Sequence, residues 1–116
     1  MTSPAKNKGD RAEIEIAKIL EELLGYRIRR KLGAGRADDT GDLHGIPDTV
    51  VQVAAWSDAL RAIREKPLAA DTQALNDDAT FAATAVRLRG GTWRVILTPE
   101  QYATYVRNSQ PSKENK

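Results

Sequence analysis

At 116 residues the chain can bury one hydrophobic core but not two. Its 41% hydrophobic and 29% charged residues are ordinary for a globular domain and exclude disorder throughout. The net charge is only +2, and the absence of cysteine excludes a disulfide scaffold, a zinc–thiolate site and a cysteine nucleophile.

The charge is unevenly spread. Residues 1–36 carry nine Lys or Arg against five acids, residues 37–78 three against nine, and residues 79–116 six against two. Two basic blocks flanking an acidic centre suit a cation-binding pocket set between phosphate-holding surfaces.

Residues 1–8 read as a flexible N-terminus, 9–108 as the folded domain and 109–116 as a flexible tail. A first helix is predicted after Asp10, with Glu13 completing a capping box. Its stripe is Ile16, Ala17, Leu20, Leu23 and Leu24, and Gly25 stops it. Tyr26–Leu32 alternates Ile28, Arg30 and Leu32 with Arg27, Arg29 and Lys31, a strand pattern. Residues 33–48 form a loop rich in Gly and Asp, with a short strand near Leu43. Thr49–Trp56 is a Val-rich run predicted to be a central strand covered on both faces.

Ser57 caps a helix to about Lys66, Pro67 interrupts it, and a second helical piece runs to about Asp78. Thr80–Leu88 and Thr92–Thr98 are strands joined by Gly90-Gly91 as a two-residue hairpin. Thr98-Pro99-Glu100-Gln101 opens a last helix to about Arg107. The fold class expected is α/β, a mixed sheet of four or five strands flanked by helices.

Three positions stand out chemically. Glu13 shares a face with the apolar stripe, which charged residues avoid. Asp42 stands where a loop enters the sheet, a suitable place for a hard cation. Gln52 interrupts Val50-Val51-Gln52-Val53, and a buried strand position rarely holds a polar side chain without a partner or a task. The ordinary alternatives are a cap for Glu13 and a turn for Asp42.

Lys8-Gly9-Asp10-Arg11-Ala12-Glu13, then Gly41-Asp42-Leu43-His44-Gly45-Ile46-Pro47, then Val50-Val51-Gln52-Val53-Ala54 together resemble phage-type Holliday junction resolvases of the PD-(D/E)XK nuclease superfamily. The resemblance spans about Lys8 to Arg107. It implies a restriction-endonuclease-like sheet and hydrolysis of phosphodiester bonds in branched or four-way-junction DNA. It also implies a homodimer, no membrane and no small-molecule cofactor. Glu13, Asp42 and Gln52 would then hold Mg²⁺ or Mn²⁺. The compartment expected is the cytoplasm, that of the host if the chain is phage-encoded.

Two positions depart from that family's pattern: Gln52 stands where it has an acid, and Ala54 where it has a lysine. Lys66, with Arg64 behind it, is the candidate for a lysine supplied from elsewhere. The competing readings are a weak or silent DNA-binding recombination accessory protein and an alanine introduced to trap a complex. Lys8, Arg11, Arg27, Arg29, Arg30, Lys31 and Arg36 are expected to hold phosphates, aided by Arg87, Arg89 and Arg94. Their bland alternative is a solvated strand face. His44, the only histidine, is a candidate outer-shell group. Trp56, Trp93, Tyr102 and Tyr105 read as core or dimer-interface residues rather than base-stacking platforms.

Overall fold

A computed structural model describes residues 4–30 and 42–111, with side chains from residue 9 onward. The order is α1 (Pro4–Leu24), β1 (Arg29–Arg30), β2 (Leu43–His44), β3 (Thr49–Ala54), α2 (Ala59–Asn76), β4 (Phe81–Arg87), β5 (Trp93–Ile96) and α3 (Pro99–Ser109). The class is α/β, as expected. The five strands divide into an antiparallel β1–β2 pair and a mixed sheet ordered β3–β4–β5. Among the described residues one backbone bond joins the two, from the Asp42 N–H to the Val51 carbonyl at 2.7 Å.

β4 is therefore the middle strand of the longer ladder, parallel to β3 and antiparallel to β5. The expectation for β3 holds for burial but not for position: it is covered on both faces, yet it stands at one end of the β3–β4–β5 ladder, and among the described residues that one bond continues the sheet beyond it. Of the predicted strand over Tyr26–Leu32, the described residues are paired at Arg29–Arg30, and Lys31 and Leu32 lie outside the described residues.

α1 begins at Pro4 rather than after Asp10, so residues 4–8 are helix and not a loose terminus. Proline's fixed φ is compatible with a first helical turn, and this moves Asp10 from the cap into the helix body. Gly25, at φ +83, closes the helix by donating its N–H to the Glu21 carbonyl.

α2 is capped by Asp58, not Ser57; the Asp58 carboxylate accepts from the Arg61 N–H at 3.0 Å. Pro67 does not break it. Ala62 on one side and Ala70 and Ala74 on the other anchor the helix to the sheet, which outweighs the local cost of an internal proline, about 3 kcal/mol. Asn76 is the last helical residue, two short of the predicted Asp78.

Five residues, Leu88 to Thr92, lie between β4 and β5, with Arg89–Gly91 forming a single helical turn. The Leu88 N–H bonds to the Thr92 carbonyl, so Arg89 is drawn into the turn. α3 starts as predicted: the Thr98 hydroxyl accepts from the Gln101 N–H. The Gln101 side chain does not close a capping box. It accepts from the Ala82 N–H at 2.8 Å, a β4 donor lying beyond the end of the β5 ladder.

The alternation of β3 sorts its side chains between two helical layers. Val51 and Val53 pack with Ala12, Ile16 and Ala17 of α1. Val50 and Ala54 pack against the alanines of α2. Gln52 shares the α2 face. Among the described residues no helix is long and apolar enough to cross a membrane.

One pH effect follows from the α2–α3 junction. Burial pushes the Asp71 carboxyl above its ordinary range, Glu100 adds to this, and a Thr98 hydrogen bond opposes it. A raised folded pKa means the folded chain holds the proton to higher pH. The stability it contributes is present at acid pH and is lost as pH rises through the folded pKa. Asp71→Asn is therefore expected to melt above the parent at pH 7 and to lose that advantage near pH 3. Equal shifts at both pH values would refute this account.

Candidate metal and phosphodiester site

The site is built where the loop before β2 meets the edge of β3. Asp42 straddles Gln52 along that edge. Its N–H reaches the Val51 carbonyl, and its Oδ2 accepts from the Val53 N–H at 2.7 Å. A carboxylate that replaces a ladder partner in this way is fixed in position by backbone. From the α1 layer comes Glu13, half-buried. Burial raises its pKa most, the Asp42 charge raises it further, and Arg30 works against both. The Asp42 charge thus reaches the Glu13 carboxyl.

Arg30 answers part of that repulsion. Its Nη2 lies 2.6 Å from Asp10 Oδ1 and its Nε 3.2 Å from Glu13 Oε1. This corrects the reading of Arg30 as an outward phosphate contact. The sequence does carry the signal: Arg30 shares strand parity with Ile28, which is buried. Arg11, Arg27 and Arg29 are exposed, as a phosphate-binding role requires. The Lys8 side chain, Lys31 and Arg36 lie outside the described residues, as do Asp38 and Asp39.

Gln52 is 2% exposed and turned toward α2. Its Oε1 accepts from Lys66 Nζ at 2.9 Å. An ammonium only donates, so this bond orients the amide with Oε1 toward Lys66 on the α2 face, the oxygen keeping a second lone pair. The reading of Gln52 as a third ligand is therefore not supported: the sheet lies between it and Glu13. Among the described residues no three His, Cys, Asp or Glu side chains are grouped to hold a metal ion.

The pair that remains, Glu13 and Asp42, still suits Mg²⁺, which typically takes one or two carboxylates and fills its shell with waters and phosphate oxygens. Lys66, the candidate for a displaced lysine, lies on α2 and donates to Gln52 on the face of the sheet away from Glu13. Ala54 itself is fully buried against Ala62 and Val86. The Trp56 ring has Arg61 at 5.5 Å and Lys66 at 5.9 Å from its centroid, a pairing the sequence does not announce. Arg64 is not buried, and His44 is exposed, paired in β2 with Arg29. Of the other aromatics, Tyr105 packs on Phe81 and Trp93 donates its Nε1–H to Glu15, while Tyr102 is exposed.

Thr84 is the partner of Gln52 across the β3–β4 ladder and is fully buried. Its hydroxyl and Gln52 Nε2 make no hydrogen bond. Polarity therefore extends from Lys66 into the α2–sheet interface, where apolar packing is the rule.

Comparisons with protein-family models, with curated proteins and with solved structures each return no match.

Proposed function

We propose that the chain is a metal-dependent, structure-selective DNA endonuclease of the Holliday junction resolvase type, acting with a second copy of itself. The observation that carries this reading is the Glu13–Asp42 pair, two carboxylates from different elements, the charge of Asp42 reaching Glu13 beside a backbone-fixed strand edge. Glu13 and Asp42 would hold Mg²⁺ or Mn²⁺. Such an ion, when bound, supplies Lewis-acid polarisation of the phosphate and a more acidic water.

In the hydrolysis, a water oxygen bonds to phosphorus, one ester P–O bond breaks, and the departing oxygen gains a proton. Lys66, held by Gln52 on the α2 face, is the cation proposed to answer the phosphorane's negative charge, which requires the scissile phosphate to reach past the edge of β3 to that face. Asp42 keeps its position through the Val53 N–H.

The second reading, a silent DNA-binding accessory protein, draws support from Lys66 lying on the α2 side of the sheet while Glu13 lies on the α1 side. One experiment separates the two. Cleavage of a labelled four-way junction and of a linear duplex is followed with Mg²⁺ or Mn²⁺, comparing the parent with Asp42→Asn. Asparagine keeps an acceptor for the Val53 N–H and removes the charge, so the fold survives. Metal-dependent junction cutting that falls by at least about 10²-fold in the variant is expected. Binding without cutting by the parent would establish the accessory protein.

A further inference from the structure

We propose that the carboxyl ends of β3 and β4 form a track for a DNA phosphate backbone, held by Arg11, Arg61, Arg87 and Arg89. This rests on the DNA reading above and extends it to a surface away from β1. In α/β sheets, ligands gather outside the carboxyl ends of parallel strands, and β3–β4 is the parallel pair here.

Three adjoining cavities lie at that end, of about 430, 400 and 310 Å³, and all three are lined by Ala55. The first is bounded by Gly9, Val53, Trp56 and Arg61. The second runs past Trp56 to Arg87, Arg89 and Gly90. The third is walled by Arg11, Glu15 and Arg87. Together they make a groove from α1 across the strand ends to the β4–β5 turn.

The arginines are spread along this groove rather than gathered at one point. A small anion would want them convergent; a polymer of phosphates would want them in a row. Guanidinium forks suit phosphate oxygens, and small apolar Ala55 leaves room for a sugar–phosphate chain. The acids present have structural tasks. Asp58 caps α2, so that helix end offers no anion site. Glu15 accepts from both Arg87 and Trp93 and fixes the Arg87 guanidinium. Glu65 pairs with Arg61, largely exposed.

The groove's first cavity touches Val53, whose N–H holds Asp42. A backbone seated on the arginines therefore passes the carboxylate pair.

The test is fluorescence anisotropy of a labelled four-way junction in EDTA over a range of salt. The parent is compared with Arg61→Ala/Arg89→Ala and with Arg107→Ala, an exposed α3 charge remote from the groove. The double variant is expected to bind at least about tenfold more weakly, with a salt slope shallower by roughly 0.9 for each phosphate it no longer neutralises. Arg107→Ala should bind as the parent does. A double variant indistinguishable from Arg107→Ala overturns the track, even where Asp42-dependent cleavage keeps the nuclease reading intact. A groove-dependent slope in a parent that never cuts upholds the track and removes the nuclease. A parent that binds no DNA overturns both.

Discussion

Replacing Lys66 by methionine is expected to slow metal-dependent junction cleavage by about 10²–10³-fold, the usual loss when one preorganised charge is removed from a transition state. Methionine keeps an unbranched apolar stem and removes the ammonium, which lies 5.9 Å from the Trp56 ring centroid. It also leaves Gln52 Oε1 buried without a donor, which costs about 1–3 kcal/mol of stability. The two effects need separate readouts. Single-turnover cleavage at a temperature well below the melting point of both proteins isolates the chemistry, and junction affinity in Ca²⁺ isolates binding. A loss confined to the cleavage rate is expected. If the variant melts earlier yet cleaves at the parental rate, Lys66 only satisfies Gln52, and the charge at the phosphorane must come from another group. Gln52→Leu is the companion. It abolishes the orienting bond without touching the ammonium, and its rate should fall less than that of Lys66→Met.

How much of this is legible in the sequence depends on whether the signal is local. Gly25, Thr98 and Pro99 terminate or open helices through bonds made within a few residues, and each can be read directly. The β3 run is legible because Val-rich strands buried on both faces are spelled out by composition.

Failures come where a distant element decides the outcome. Pro67 looks like a helix end because the packing of Ala62, Ala70 and Ala74 on the sheet is invisible locally. Asp10 looks like a cap because its partner, Arg30, is twenty residues away. Gln52 looks like a metal ligand because strand parity tells which side chains share a face, but not which helix covers that face. Only the register of β3 against β4 and α2 settles that. The same limit hides the arginine track, whose members come from α1, α2, β4 and the β4–β5 turn.

Substituting alanine for Gly45 is expected to cost about 2–4 kcal/mol, from backbone strain and steric overlap together. Gly45 has φ +121, and a Cβ there would meet the Arg27 carbonyl oxygen at 2.5 Å and the Ile28 Cα at 3.2 Å. Both neighbours are backbone, so no side chain can swing aside. Gly25 provides the contrast: it also has positive φ, at +83, but a Cβ would meet nothing within 4 Å. Gly25→Ala should therefore cost only the left-handed penalty, about 1 kcal/mol. Denaturant unfolding of the two variants measures the difference, and equal losses would mean that the β1–β2 approach yields without strain.

The consequence reaches the site. The close passage of Gly45 beneath Arg27 is what lets His44 pair with Arg29 and Leu43 with Arg30. That pairing sets Arg30 against Asp10 and Glu13, and it feeds Asp42 onto the edge of β3. Loosening it should displace Asp42 relative to Glu13. Gly45→Ala is accordingly expected to lose cleavage beyond what its unfolded fraction explains, whereas Gly25→Ala, at the far end of α1, should cleave in proportion to the protein that remains folded. A Gly45→Ala protein that is destabilised but fully active once folded would separate the turn from the site and leave the glycine a purely structural residue.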